Sequence, residues 1–244
     1  MTNEAIRTLL ASAAEPEYRA FSQSLLPGVN DLIGVRLPVL RRFARRLAKG
    51  DALEYLSRAA DSSFEEQLLQ GLVLGYAPME REARAQAIHR FLPKIDNWSI
   101  CDSTCITCRF MREDPEYWWN FLLSLTQSPE EYSVRFALVC MIDHFSAAPE
   151  SARRVLEICV NIHSDAYYVQ MAQAWAIAEC AVAVPETALA QLSSLPADGF
   201  VRRMAIRKIC ESFRISTETK AAARALRAGR SDEPKFFTRQ GGLP

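Results

Sequence analysis

The sequence predicts an all-α fold, a superhelix of HEAT-like repeats in which helices stack in pairs and the inner helices line a concave groove. The 244 residues include only 9 glycines and 12 prolines, and several of the prolines separate periodic segments. No segment alternates apolar and polar residues as a strand does. Apolar residues instead recur at the spacing of a helix face, as in Phe64, Leu68, Leu69, Leu72 and Val73.

An internal repeat is the strongest of these signals. Five predicted helices align on an aromatic residue near their start, and this aromatic recurs every 32 to 36 residues. Each follows a stretch with Asp, Asn or Ser, which cap helix starts. A shorter helix is predicted between successive members, for example over 79–91 and 148–162. Since the ankyrin and TPR patterns are missing, this period predicts a HEAT-like array. The aligned aromatics are Phe64, Trp98, Tyr132, Tyr168 and Phe200.

The composition is that of a globular chain, with 49% hydrophobic and 24% charged residues. Residues 1–10 include Glu4 and Arg7 and no apolar run, so we expect no signal peptide. We also expect no transmembrane span, because no apolar run of about 18 residues occurs. The seven cysteines are expected to be reduced thiols of a cytoplasmic protein. We predict one domain over 1–230 and a disordered tail over 231–244, in a monomer without cofactor or metal.

Cations are unevenly placed along the chain, although 29 basic and 29 acidic residues give no formal net charge. One basic group, at 36–49, has six cations and no acid, and a second lies at 202–208. Solvated helix faces explain either group taken alone. The alternative is that two groups at equivalent repeat positions share a face that meets phosphates. The cations that we predict to bind DNA in these groups are Arg36, Arg41, Arg42, Arg45, Arg202, Arg203, Arg207 and Lys208.

Three cysteines, Cys101, Cys105 and Cys108, have the spacing of an iron–sulfur motif of radical enzymes. That motif works on a loop after a strand, where three thiolates converge, whereas this segment is predicted to be helical. At this spacing the cysteines share one helix face, as small core residues do. We therefore expect core cysteines. The three histidines show no metal-ligand spacing, and no phosphate loop or dinucleotide motif occurs.

Trp98 and Asp102 are four positions apart, so the indole and the carboxylate share a helix face. Asp102 lies in an apolar segment, where an aspartate costs stability unless it is paired or exposed to a cleft. Arg135 and Trp175 occupy the next two equivalent helices, so all four side chains can converge on the groove. Two interpretations stay open: core tryptophans with a buried Asp–Arg pair, or a functional cleft.

Six segments carry a family resemblance. They are IGVRLPVLRRFA (33–44), FEEQLLQGLVLGY (64–76), IDNWSICDS (95–103), EEYSVRFAL (130–138), YYVQMAQAWAIAE (167–179) and VRRMAIRKI (201–209). In this order and spacing they resemble the AlkD-like DNA alkylation repair proteins, which are built from HEAT-like repeats. The resemblance covers about residues 18–214. It implies release of bulky or cationic N3- and N7-alkylated purines from DNA without the base flipping of other glycosylases.

The same resemblance implies a role for each of the four cleft residues. Asp102 matches the catalytic aspartate, Trp98 and Trp175 match tryptophans that pack on the deoxyribose of the lesion, and Arg135 matches an arginine that contacts the DNA backbone. Because an N-alkylated purine is already a cationic leaving group, the enzyme must mainly stabilise an oxocarbenium-like sugar. A carboxylate and indole faces can do this. The implied partner is double-stranded or branched DNA.

One segment departs from the family pattern. The glycosylases of the family carry a short helix near the N terminus that presses on the duplex, and the corresponding stretch here is 24–38. Its Pro27-Gly28 and Asn30-Asp31 pairs favour turns. The chain therefore resembles a branch that lacks this helix and is associated with binding of branched DNA.

Three functions remain open from the sequence. They are an alkylpurine DNA glycosylase, a non-catalytic binder of branched or unusual DNA, and a protein-interaction scaffold, a frequent role of helical solenoids. If the source is a bacterium, we expect association with the nucleoid.

Overall fold

The computed structural model describes residues 1–50 and 52–228, so the tail predicted at 231–244 lies outside the described residues. The described chain folds into fourteen α-helices and two short 3₁₀ turns, Leu92–Lys94 and Arg109–Arg112, without a strand. The predicted all-α class is thus confirmed. The helices are α1 (Asn3–Ser12), α2 (Pro16–Leu25), α3 (Leu37–Ala48), α4 (Ala52–Arg58), α5 (Phe64–Tyr76), α6 (Arg81–Phe91), α7 (Trp98–Cys105), α8 (Pro115–Leu125), α9 (Glu131–Phe145), α10 (Pro149–Asn161), α11 (Tyr167–Ala183), α12 (Pro185–Ser194), α13 (Phe200–Glu211) and α14 (Thr217–Ala228).

From α3 onward the helices form two layers. Helices α3, α5, α7, α9, α11 and α13 each pack on the next and make one continuous layer, the inner row. The even-numbered helices from α4 to α14 form the outer row, in which α10 packs on α12 and α12 on α14. Each repeat therefore contributes one helix to each row, as in an α-helical solenoid. None of the described helices has the length and apolar character needed to cross a membrane.

The repeated aromatics mark the starts of five inner helices. Phe64, Trp98 and Phe200 are the first residues of α5, α7 and α13, and Tyr132 and Tyr168 are the second residues of α9 and α11. The predicted shorter helices at 79–91 and 148–162 correspond to α6 and α10, with bounds that differ by one or two residues. The sequence repeat is therefore the repeat of the inner row.

Side-chain caps fix the starts of α5 and α7. Ser63 Oγ accepts a hydrogen bond from the Glu66 amide at 3.2 Å. Asn97 Oδ1 accepts from the amides of Ser99 and Ile100, both at 3.0 Å. Such caps satisfy amides that have no partner within the helix. Helices α9, α11 and α13 begin without a side-chain cap, so the predicted capping holds for only part of the row.

Close packing between α5 and α7 depends on a glycine. A Cβ atom added to Gly71 would lie 1.9 Å from Thr104 Oγ1 and 2.9 Å from Phe91 Cζ. Any larger residue at this position would force the side chains of Thr104 on α7 and Phe91 on α6 to move. Since α7 carries Trp98 and Asp102, Gly71 helps to set the position of both side chains.

The predicted core cysteines lie between α7 and α9. Cys101 and Cys105 are buried on one face of α7 beside Cys140 of α9, and burial raises the pKa of all three thiols. Helix α7 ends at Cys105, so Cys108 lies in the following turn, where its Sγ donates to the Thr104 carbonyl at 3.4 Å. Within the described ranges, no group of three or more His, Cys, Asp or Glu residues is arranged to hold a metal ion.

Candidate nucleic-acid interface

A two-point ion pair joins Asp102 of α7 to Arg135 of α9. Arg135 Nε donates to Asp102 Oδ1 at 2.9 Å, and Nη2 donates to Oδ2 at 2.8 Å. The remaining terminal nitrogen, Nη1, donates to the Tyr168 carbonyl of α11 at 2.9 Å. Two parallel charge-assisted hydrogen bonds make this the strongest common geometry between a guanidinium and a carboxylate. Three consecutive inner helices are thereby locked together around Asp102.

Opposing influences act on the charge of Asp102. Burial is the largest influence and raises the pKa of the Asp102 carboxyl above its ordinary value, although the hydrogen bonds and charge of Arg135 and the charge of Lys208 act to lower it. Burial also disfavours the charged Arg135, but its bonds to Asp102 prevail and raise the pKa of the guanidinium. A carboxylate has about four acceptor sites, of which Arg135 occupies two. With 21% of its side chain exposed, Asp102 retains free acceptor sites.

Trp175 lies two helices away from Trp98 in the inner row and is held by an acidic residue. Its indole Nε1 donates to Glu179 Oε1 at 3.2 Å, and Glu179 also accepts a hydrogen bond from Arg214 Nη2. Trp98 and Trp175 are both partly exposed and pack against the core. Glu179 follows Trp175 by four residues, a helical spacing that sequence reasoning overlooked.

Two tyrosines flank the ion pair. The rings of Tyr132 and Tyr168 lie 5.6 Å apart at an interplanar angle of 31°. Arg135 Cζ is 5.7 Å from the centre of the Tyr168 ring, and the Tyr168 amide donates to Glu131 Oε1 at 2.7 Å. Both tyrosines were identified from the sequence as helix-start aromatics, but their position beside Asp102 was not predicted.

Asp143, near the end of α9, adds a further titratable group. Its pKa rises to about 7, first because it is buried and then because Asp102 and Glu179 carry negative charge, with Arg112 acting in the opposite direction. Asp102, Asp143 and Glu179 thus place carboxyl groups on three consecutive inner helices, α7, α9 and α11. Sequence reasoning missed Asp143, because its titration depends on burial.

A cavity of about 140 Å³ lies beside Trp98, between the inner row and α2. Tyr18, Phe21 and Leu25 of α2 line one side, and Trp98 and Ser103 line another. The stretch 24–38 was predicted to lack a helix, which is confirmed for 26–36 but wrong for its first two residues, which end α2, and its last two, which begin α3. Phe21 is 59% exposed and Leu25 is 49% exposed, so a helix with apolar side chains lies at the edge of the cleft.

The non-helical segment 26–36 is anchored by Glu65. This carboxylate is 1% exposed and accepts hydrogen bonds from the amides of Ile33, Gly34 and Val35 at 2.8, 2.6 and 3.1 Å. Gly34 has a φ of +99°, and a Cβ added there would lie 2.7 Å from Arg19 Cβ. Glycine is therefore required on both conformational and steric grounds. This anchor holds the end of α2 near Trp98.

The first basic group lies on α3 and is mostly free of acids. Arg36 pairs with Glu15 at 2.9 Å and lies over the Tyr18 ring at 4.7 Å. Arg42 is exposed. Of the predicted DNA-binding residues on this helix, Arg41 and Arg45 point into a pocket at the end of α5.

A sequence model of the family described as DNA alkylation repair enzyme matches residues 6–228. The chain belongs to this family. Membership supports a role in DNA alkylation repair, with DNA as the partner. No curated protein and no solved structure is significantly similar to the chain.

For a DNA alkylation repair protein, the four predicted cleft residues are only partly brought together. Asp102 and Arg135 are in direct contact. Trp98 begins the helix that carries Asp102, and Trp175 belongs to α11, which packs on α9. The contact of Arg135 with the DNA backbone stays a prediction, and three of its five N–H donors are used within the protein. Its side chain is 7% exposed and its three nitrogens are already bonded. Its bonds to Asp102 orient that carboxylate.

In the second basic group of this DNA alkylation repair family member, fewer cations are free to contact a ligand than the sequence indicates. Arg202 is buried, and its guanidinium donates to the carbonyls of Ser193, Leu195 and Leu226 at 2.8 to 3.3 Å. These bonds hold α13 against the outer row and occupy the terminal nitrogens of Arg202.

The other predicted cations of this group differ in their availability. Arg203 is exposed and donates to the Asp198 carbonyl. Arg207 is exposed but pairs with Glu211 at 2.8 Å. Lys208 lies close enough to Asp102 for its charge to lower the pKa of that carboxyl.

Proposed function

We propose that the protein is a monofunctional DNA glycosylase that releases N3- or N7-alkylated purines, with Asp102 as the catalytic carboxylate. One observation carries this proposal. Asp102 is a largely buried carboxylate, oriented through both oxygens by Arg135, yet 21% of its side chain remains exposed. A fixed negative charge in a partly desolvated site is suited to stabilising positive charge that develops during a reaction.

The chemistry requires little from the protein besides electrostatics. The bond between C1′ of the deoxyribose and the purine nitrogen breaks, and its electron pair neutralises the positive charge of the alkylated base. The sugar is left oxocarbenium-like until water adds to C1′ and releases a proton. Asp102 would stabilise that sugar more strongly than the neutral ground-state sugar, which is the condition for lowering the barrier. Its unoccupied acceptor sites can orient the water.

Trp98 and Trp175 are proposed to supply aromatic faces to the sugar on either side of the ion pair. Indole faces attract cations, and both side chains are partly exposed in the inner row. Helix α2 supports excision, because it places a helix beside Trp98 near the N terminus. As the family resemblance implies, the base is not rotated out of the stack. The protein would act in the compartment that holds the DNA.

A second candidate is a non-catalytic binder of branched DNA. The observation that favours it is the same ion pair, since Arg135 compensates the charge of Asp102. A compensated carboxylate attracts a cationic sugar less strongly than a lone one. In this case Asp102 and Arg135 hold the inner row together, and the cations of α3 hold the DNA.

Single-turnover incubation with a duplex containing one N7-methylguanine separates the two candidates. The measurement is abasic-site formation above the spontaneous loss of the base, for wild type and Asp102→Asn. Asp165→Asn is the matched control, because it makes the same exchange at an exposed residue. Binding to intact and branched DNA is followed in parallel at several salt concentrations.

We expect excision by wild type and by Asp165→Asn, and a loss of at least 100-fold in Asp102→Asn, typical of removing a transition-state electrostatic contact. If wild type binds DNA in a salt-sensitive way but excises no base, the glycosylase proposal is overturned and the non-catalytic binder is favoured. Absent binding to every DNA would overturn both and leave the protein-interaction scaffold. Circular dichroism of each variant shows whether an effect arises from unfolding.

A further inference from the structure

An open pocket of about 560 Å³ lies where α5 and α7 end, away from the cavity beside Trp98. Arg41 and Arg45 of α3 and Arg109 of the second 3₁₀ turn line it, together with Tyr76 and Thr107. We call it the arginine pocket. It draws cations from separate elements to one place, and Arg109 belongs to neither basic group identified from the sequence.

The guanidinium groups of this pocket lack acidic partners. Within the described residues, Arg41, Arg45 and Arg109 form no salt bridge, and the buried Nε of Arg41 has no hydrogen-bond partner. Arg45 lies over the Tyr76 ring, 4.8 Å from its centre, with Nη2 3.5 Å from the Tyr76 hydroxyl. Glu113 is the one acid among the lining residues described. The pocket is therefore rich in uncompensated positive charge.

A fourth arginine of the same pocket, Arg84, has a structural role. Arg84 is buried, donates to the carbonyls of Leu74 and Ala77 at 3.0 and 2.7 Å, and lies 4.0 Å from the centre of the Phe110 ring. Its donors are used by the protein. Within the described residues, the side chains of Arg41 and Arg109 donate no hydrogen bond, and Arg45 donates one long bond, to the Tyr76 hydroxyl at 3.5 Å. Packing therefore does not account for their convergence.

A bound anion would stabilise this cluster of positive charges. Like charges gathered in one pocket repel one another, and the buried Nε of Arg41, which has no partner, costs free energy. Guanidinium groups match phosphate oxygens in geometry and charge. The hydroxyl of Tyr76 adds a donor that suits the same oxygens. The chemistry of the pocket therefore favours a phosphate group.

We infer that the arginine pocket holds a backbone phosphate of DNA bound along the inner row, an inference that rests on the proposed function in its DNA-binding part. The pocket lies where α7 ends, and α7 is the helix that carries Asp102. The pocket would thus fix the register of the damaged strand.

The test compares two triple variants of equal charge. The pocket variant carries Arg41→Gln, Arg45→Gln and Arg109→Gln. The control carries Arg90→Gln, Arg153→Gln and Arg224→Gln, three exposed arginines of the outer-row helices α6, α10 and α14. The logarithm of the association constant for an undamaged duplex is measured against the logarithm of salt concentration for both variants and wild type.

For the pocket variant we expect the magnitude of the salt slope to fall by about 0.9, the amount for one duplex phosphate, and the affinity to fall roughly fivefold to tenfold near 0.1 M salt. The control keeps the wild-type slope. If the pocket variant fails to fold by circular dichroism, the single change Arg109→Gln, at an exposed residue, is expected to reduce the affinity about twofold at the same salt concentration.

The outcomes separate this inference from the proposed function. If wild type binds DNA and the salt slopes of the two triple variants are equal, the pocket assignment is overturned while the proposal of DNA binding stands. Absence of DNA binding by wild type would overturn both. Inorganic phosphate is added in a thermal-unfolding arm. Stabilisation of wild type but not of the pocket variant, with unchanged DNA binding, would assign the pocket to a free anion and overturn the DNA assignment.

Discussion

The two basic groups of the molecule differ in what their guanidinium groups contact. On α3, Arg41, Arg42 and Arg45 have no acidic partner within the described residues and face solvent or the arginine pocket. On α13, Arg202 is bonded to three carbonyls and Arg207 pairs with Glu211. The number of cations in a segment is therefore a poor measure of the charge available to DNA. What matters is how many donors the protein has already used.

The two basic groups also differ in the number of acidic residues that lie near them. Lys208 of α13 lies close to Asp102, in a region that also contains Asp143 and Glu179. The arginine pocket beside α3 is lined by one described acid, Glu113. A polyanion would meet a larger positive potential on the α3 side than on the α13 side. The comparison predicts that α3 contributes most of the electrostatic affinity for DNA.

The largest expected effect concerns stability and contrasts one arginine from each group. Arg202→Met leaves three carbonyls without their donors in a buried site, and we expect a loss of about 2 kcal/mol in the free energy of unfolding. Arg42→Met, at an exposed residue of α3, should change it by less than about 0.5 kcal/mol. Urea unfolding followed by circular dichroism measures both. Equal effects in the two variants would contradict the structural role given to Arg202.

A smaller effect on the free energy of unfolding is expected from a change at Asp143, one of the acids in the region of the second basic group. Because the pKa of Asp143 is raised to about 7 in the folded chain, its ionisation destabilises the fold progressively as pH rises from about 4 to 7. Asp143→Asn should therefore be more stable than wild type, with an advantage about 1 kcal/mol larger at pH 8 than at pH 5 after allowance for screening. Urea unfolding at both pH values measures this. An advantage that shrinks at pH 8 would contradict it, and Asp165→Asn is the control.

The smallest expected effect releases a cation of the second group. Glu211→Gln removes the acid that pairs with Arg207, and both side chains are exposed. We expect the affinity for duplex DNA to rise about twofold at low salt, because one more guanidinium becomes available to phosphates. Fluorescence anisotropy with labelled duplex measures this. The double variant with Arg207→Gln serves as control and should lose the gain.

Much of the fold was predictable because it depends on local sequence. The aromatic that recurs at helix starts gave the inner row, since the repeat spacing places equivalent residues on neighbouring helices. The same spacing separates Asp102 from Arg135, so their convergence was predictable. Their direct pairing was one of two interpretations left open, because sequence does not give side-chain direction between helices.

The remaining features depend on contacts that leave no pattern in sequence. Glu65 and Arg202 bond to backbone groups, which every residue carries, so their partners could not be identified in advance. The stretch 24–38 was predicted to be non-helical from its turn formers, yet Ser24 and Leu25, which precede them, remain in α2. The pKa of Asp143 depends on burial and on charges from two other helices.

The buried thiols between α7 and α9 affect how the protein reacts with alkylating agents. Electrophiles that alkylate purines also attack cysteine, and they react with the thiolate rather than the thiol. Burial keeps Cys101, Cys105 and Cys140 protonated and shielded from solvent. Of the seven cysteines, Cys210 alone is partly exposed. A protein of DNA alkylation repair thus has a core that resists the same agents whose damage to DNA it encounters.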